Sequence, residues 1–224
     1  MPPHTLAAST VVAALLAIAS APWAFDAPWL NFIFKPLATL LILAHAWARG
    51  GQQPVVRRWI LAGLGLSLVG DVALMWPRGF LAGLIAFLLA HLSYIVAFTR
   101  EHRFLAQPLA LTIYALVAGS VLALLWPSVP AALRVPVACY VLALTAMSAQ
   151  TAVIGLTARD DDRRRGRVLM LGGALFMTSD ALLATNRFAL PLPAATLWIL
   201  ATYWSAQWCI ASWLRPDAAG THDG

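Results

Sequence analysis

Apolar residues run in blocks of about twenty along the chain, and the breaks between blocks are short. Pro and Gly mark most of the joints, at Ala27-Pro28, Gly50-Gly51, Pro77-Arg78-Gly79, Trp126-Pro127 and Pro191-Leu192-Pro193. A helix of about 20 apolar residues crosses the hydrocarbon core of a bilayer. The pattern therefore predicts eight helices, at about 6–25, 29–48, 57–76, 80–99, 105–126, 131–156, 167–186 and 192–214. With loops this short, residues 1–224 make a single integral membrane domain, an all-α polytopic transmembrane bundle. A shift of 109 residues aligns Gly63 with Gly172, Asp71 with Asp180, Arg78 with Arg187 and Tyr94 with Tyr203, which points to two related four-helix halves.

Composition agrees with the pattern. Of 224 residues, 61% are apolar and 11% charged, against roughly 45–50% and 25% in soluble domains. A conventional soluble globule is excluded. The net charge of +6 is spread over loops between uncharged blocks, so it fits a basic membrane protein and no nucleic-acid partner is expected. Eleven Arg residues (Arg49, Arg57, Arg58, Arg100, Arg103, five between 159 and 167, and Arg215) fall on one face, against Arg78, Arg134 and Arg187 on the other. The excess marks the cytoplasmic side, so both termini are expected inside, in a bacterial inner membrane. The charge run Arg159 to Arg167 is expected to be a solvated loop. Ala19-Ser20-Ala21 resembles a signal-peptide cleavage site, but no Lys or Arg precedes the first block, so a retained helix is expected. Cys139 and Cys209 both lie inside apolar blocks and give neither a disulfide framework nor a zinc site.

Ionisable side chains at bilayer depth are costly and mark functional sites. They are Lys35, His45, Asp71, His91 and Asp180, with Asn31, Tyr94, Gln150, Ser179, Asn186, Tyr203 and Gln207 as a neutral second tier. At about 1.5 Å rise per residue, Lys35, Asp71 and Asp180 share a level roughly 8–9 Å below the outer surface, with His91 and Tyr203 near mid-bilayer. Phe87, His91, Tyr94 and Phe98 form one helical stripe, and Phe176/Asp180 and Tyr203/Gln207 are i, i+4 pairs. One outward-open cavity can hold them all. His45, near the inner end of its helix, is expected only to pack helices, and Gly79 with Gly83 to allow close helix contact.

At this point the residues resemble a known family. The stretch Gly70-Asp71-Val72-Ala73-Leu74-Met75 with Phe80, Gly83, Phe87, His91 and Tyr94 is similar to the lysoplasmalogenase family of YhhN-like membrane proteins. Gly172-Gly173-Ala174-Leu175-Phe176, Ser179-Asp180, Asn186, Tyr203 and Gln207 resemble its second signature, and Lys35-Pro36 its early Lys-Pro motif. The likeness covers about residues 29–214. It implies an eight-helix hydrolase that cleaves the vinyl-ether bond of a lysoplasmalogen to a fatty aldehyde and a glycerophospho-base.

Vinyl-ether hydrolysis needs a general acid and an anionic or water-activating carboxylate, as glycosidases do. Asp71, level with Lys35, is the candidate anion, Asp180 the candidate acid, and His91 a water-orienting or proton-relaying group. Lys35, Tyr94, Ser179, Asn186, Tyr203 and Gln207 are expected to bind substrate or support the site. Phe80, Phe87, Phe176 and Phe188 are expected to line an acyl groove, and Lys35, Asn186 and Arg187 to be placed for a phosphate. The expected partners are a lysophospholipid and membrane lipids, with no metal and no cofactor. Two other classes draw on the same residues: a zinc hydrolase using His91, Asp71 and Asp180, and a proton-coupled transporter or lipid-binding membrane protein.

Overall fold

The computed structural model describes residues 3–100, 102–159 and 162–217. Among these, eight α-helices follow one another: α1 (Pro3–Ala19), α2 (Pro28–Trp47), α3 (Pro54–Ala73), α4 (Phe80–Thr99), α5 (Pro108–Leu125), α6 (Ala131–Thr157), α7 (Arg163–Phe188) and α8 (Ala195–Trp213). Prolines supply the first residues of α2, α3 and α5, where the missing N–H costs nothing. Five helices, α2, α4, α5, α6 and α7, are long and apolar enough to cross a membrane, with short 3-10 turns extending α4 and α5. α3 carries Arg57, Arg58 and Asp71, α8 carries Tyr203 and Gln207, and α1 is shorter. Each of these three packs beside at least one of the five: α1 against α2 and also α8, α3 against α2 and α4, α8 against α7 and α2.

Several expected boundaries move: α3 lies three residues earlier, at Pro54–Ala73, α5 and α8 start three residues later, and α1 and α7 change most. α1 stops at Ala19 rather than 25, because the chain turns through Ser20–Phe25 and Asp26 takes φ 49°. α7 starts at Arg163, so the basic half of the charge run forms a helical first turn capping a long span; Asp160 and Asp161 lie outside the described residues.

Close approach fixes the helix pairs that carry the site. Gly63 and Gly70 on α3 face α4, where an added Cβ would run into the Tyr94 ring and, at 2.5 Å, into the Phe87 ring. On α7, Gly172 meets α8 with Cys209 Cβ only 2.8 Å from where a side chain would begin. α3/α4 and α7/α8 are thus intimate pairs, and Gly83 likewise lies against Leu74 and Gly70. Phe98, Phe176, Tyr94, Met147 and Ile210 fill the core between them.

The joints separate into two ends. At one end, Gly50 N donates to Arg215 O (2.8 Å), Gly51 N to Asp217 Oδ1 (2.6 Å), and Arg215 Nη2 to Asp162 Oδ2 (3.1 Å). The α2–α3 and α6–α7 joints and the tail are therefore tied together. Gln150 holds the α4–α5 joint: Leu105 N donates to its Oε1 at 2.7 Å, and its amide reaches Arg103 O. Leu105 has φ 48°, so Gln150 anchors a strained turn and takes no part in the membrane cavity. The other end is formed by the α1–α2, α3–α4, α5–α6 and α7–α8 joints.

Candidate active site

Asp71, near the end of α3, is 2% exposed and held by donors from two other helices. Thr39 of α2 donates to its Oδ2 at 2.7 Å and Tyr203 of α8 donates to the same oxygen at 2.8 Å. Both directions are fixed from behind. Trp204 Nε1, which can only donate, gives its hydrogen to Thr39 Oγ1 at 3.1 Å. Gln207 Nε2 donates to Tyr203 at 3.3 Å, while Tyr94 donates to Gln207 Oε1 at 2.7 Å. Each hydroxyl therefore turns its own hydrogen to Asp71. Lys35 Nζ stands 3.8 Å from Oδ1. Two O–H donors and the Lys35 amine thus converge on one carboxyl group. Pro36 follows Lys35 and removes one helical donor there, which leaves the Phe32 carbonyl without its usual partner.

Asp180, on α7, has a different setting. Tyr140 of α6 donates to its Oδ2 at 2.5 Å, and Oδ1 has no protein partner among the described residues. His91 of α4 lies behind Tyr140, with Nε2 3.0 Å from the phenol oxygen and 3.7 Å from Asp180 Oδ2. Phe176 packs edge-on against both His91 (4.8 Å) and Tyr203 (5.7 Å), so one ring braces the two acid settings.

Two cavities meet here. The polar one, of about 310 Å³, is lined by Asn31, Lys35, Asp71, Ser179, Asn186 and Arg187, among others. The apolar one, of about 540 Å³, runs between α5, α6 and α7 past Phe80, Val117, Tyr140, Leu144 and Phe188. Asp180, Leu74, Phe80, Phe87 and Leu183 border both.

The sequence-predicted residues divide by position. Asp71, Asp180, Lys35, Ser179, Asn186 and Tyr203 reach the polar cavity. His91, Tyr94 and Gln207 are wholly buried behind it and act on it only through other side chains. Phe80, Phe87 and Phe188 line the groove, but Phe176 is 0% exposed and is a brace between rings. Ser179 donates to Ile199 O at 3.0 Å and so also ties α7 to α8, while Asn186 Oδ1 accepts from Leu192 N at 2.9 Å and holds the joint between them. Arg187 sits over the Phe80 ring at 5.0 Å. His45 stacks on Trp208 at 4.1 Å and meets Ser212, outside the site. Tyr140, Thr39 and Trp204 were not singled out from the sequence. Among the described residues no three His, Cys, Asp or Glu side chains converge as a metal site would require.

A helical integral membrane protein with two separately held carboxylates between a polar cavity and an apolar groove is the class defined by this fold. The YhhN family model matches residues 30–214, and the chain belongs to the YhhN family. It is 34% identical over 182 residues to human lysoplasmalogenase TMEM86B, covering 80% of this chain and 73% of that one. Human lysoplasmalogenase TMEM86A is 34% identical over 193 residues, 82% of this chain and 77% of its own. The uncharacterized membrane protein YhhN of Escherichia coli O157:H7 is 40% identical over 77 residues, 33% of this chain and 35% of that one. No solved structure matches the chain.

Proposed function

We propose that this protein is a lysoplasmalogenase-type hydrolase that cleaves the vinyl-ether bond of a lysoplasmalogen, or a related lysolipid, within the membrane. The names of its relatives give the reaction class. The observation that carries the reading is that Asp180 borders both cavities. A lysolipid has one long chain and one polar head, and its ether bond lies where the two join. With the chain in the apolar groove and the head in the polar cavity, that bond comes to Asp180.

The chemistry follows from the two carboxyl settings. Asp180 gives a proton to the alkene carbon beyond the ether-bearing carbon, leaving an oxocarbenium ion. Water adds to that ion and its proton passes to Asp71, whose anion has faced the developing positive charge. The hemiacetal then collapses. Its hydroxyl proton returns to Asp180, the glycerol oxygen takes the proton from Asp71, and the C–O bond breaks to aldehyde and alcohol. Both acids end as they began, and one water is consumed. Lys35 holds Asp71 ionised between turnovers. Asn186 and Arg187 stand where a phosphate enters.

Detergent-solubilised protein incubated with a lysoplasmalogen should release a fatty aldehyde. In deuterium oxide the aldehyde should carry one deuterium on the carbon next to the carbonyl, because that carbon takes the proton in the first step. Turnover without aldehyde rejects the reaction, and aldehyde without that deuterium rejects the protonation step.

A further inference from the structure

We propose that Tyr140 is a positioning residue that keeps the acidic proton of Asp180 on Oδ1, and that His91 acts on Asp180 only through Tyr140. The inference rests on the reading of Asp180 as the general acid. Oδ2 of Asp180 is 2.5 Å from the Tyr140 oxygen, which is 3.0 Å from His91 Nε2, while Nε2 and Oδ2 are 3.7 Å apart. The last distance is too long for a hydrogen bond, so the Tyr140 oxygen is the corner that joins the other two groups.

With the acid protonated, such a bent chain admits two arrangements of hydrogens. In the first, His91 Nε2–H donates to Tyr140, Tyr140 donates to Asp180 Oδ2, and the carboxyl proton sits on Oδ1. In the second, the carboxyl proton sits on Oδ2 and points at Tyr140, Tyr140 points at Nε2, and His91 carries its hydrogen on Nδ1. His91 Nδ1 decides between them. It is buried and has no partner, on a side chain that is 0% exposed and packed edge-on against Phe176. The second arrangement strands an N–H donor there, which is costly. The first strands only a lone pair.

The first arrangement has a chemical consequence. Oδ2 is committed to accepting from Tyr140, and the proton is left on Oδ1, the oxygen with no protein partner, on a residue that borders both cavities. After the proton leaves, Tyr140 still donates to the carboxylate formed, so the same bond serves both forms of the acid. His91 never touches substrate; it lines neither cavity.

The test uses purified full-length protein and a lysoplasmalogen. Tyr140→Phe keeps the ring that walls the groove and removes only the hydroxyl. Its kcat should fall roughly ten- to a hundredfold, the range for losing a hydrogen bond to a charged group, with KM unchanged. In the infrared spectrum the carbonyl band of protonated Asp180, identified by its loss in Asp180→Asn, should move to higher wavenumber in Tyr140→Phe as its carbonyl loses a donor. His91→Gln, whose amide N–H can still donate, should keep more kcat than His91→Leu. If Asp180→Asn is inactive while Tyr140→Phe keeps its kcat, changes only KM or leaves the band unmoved, the inference fails and the acid reading stands. If Asp180→Asn is fully active or loses no band, the acid reading itself fails, and this inference with it. Should Tyr140→Phe not insert, equal kcat in the two His91 variants overturns the proposal.

Discussion

Asp71 and Asp180 occupy matching positions in the 109-residue register, yet their surroundings differ, and substitutions should separate them. Asp71 faces two hydroxyl donors and an ammonium, so Asp71→Asn must aim an amide NH2 at one of these donors. Asp180 has one donor and one free oxygen, so Asp180→Asn can orient without conflict. Each variant should lose at least about a hundredfold in turnover, the scale of acid-base catalysis, but Asp71→Asn should also melt at lower temperature. Equal melting points would show that the donors around Asp71 are not directed as described. Lys35→Ala should lower kcat with KM little changed, because its ammonium stands 3.8 Å from Asp71 and sets that charge; a change confined to KM would move Lys35 to the head group. Much of this site was legible in sequence, since ionisable residues are rare in apolar blocks and Tyr203/Gln207 share a helix face. Tyr140 was not, because its helix neighbours Pro136, Val137, Ala143 and Leu144 are all apolar. Thr39 was hidden by its own kind: Thr112, Thr145, Thr157 and Thr185 each return their hydroxyl to the carbonyl four residues back, and only a tertiary contact distinguishes Thr39.

At the scale of elements, the block pattern located all eight helices, and α4 begins and ends where expected, at Phe80 and Thr99. Boundaries moved where charge or turn residues allowed two outcomes. The Arg-rich start of α7 can be solvated equally well as loop or as helix, and the bond between Asp162 and Arg165 settles it as a first turn. The sequence marked Phe80, Phe87 and Phe188 as groove residues, but not where the groove runs. It arises because α5 packs on α6 and α7 and leaves a space toward α4, which depends on inter-helix distance and not on residue type. This gives a prediction specific to α5. Ala118 is buried along the groove wall, midway along its helix. Ala118→Phe should fill part of the 540 Å³ space and shift preference toward shorter chains, measured as kcat/KM over a chain-length series. A uniform loss across all lengths would mean that the chain does not lie in this groove.

The whole molecule has one strongly basic end, and its fold gathers there the α2–α3 and α6–α7 joints and the tail. Asp162 is a centre of that gathering. The Arg165 guanidinium, joined by Arg215, holds its carboxyl below the usual carboxylate range. A depressed acid contributes stability above its unfolded value and loses it as pH falls through its folded value. Acidification should therefore loosen the tail, read as faster proteolysis after Arg215, and Asp162→Asn should be loosened at every pH. The same end is expected to set the orientation in the bilayer. Cytoplasmic ends of membrane proteins carry the excess of Arg, and eleven of the fourteen arginines lie in or beside the joints of this end. Arg78, Arg134 and Arg187 belong to the other, where Arg134 lies over the Trp126 ring at 5.4 Å and Arg187 over Phe80 at 5.0 Å. The polar cavity is bordered by Trp76, Pro77, Arg187 and Ala195, all at that second end, so orientation also decides which face of the membrane supplies the head group. A reporter fused after Arg215 should behave as cytoplasmic, and one inserted at 126–130 as external. An external signal from the tail would reverse the assignment and turn the mouth of the polar cavity toward the cytoplasm, while leaving the geometry around Asp71 and Asp180 untouched.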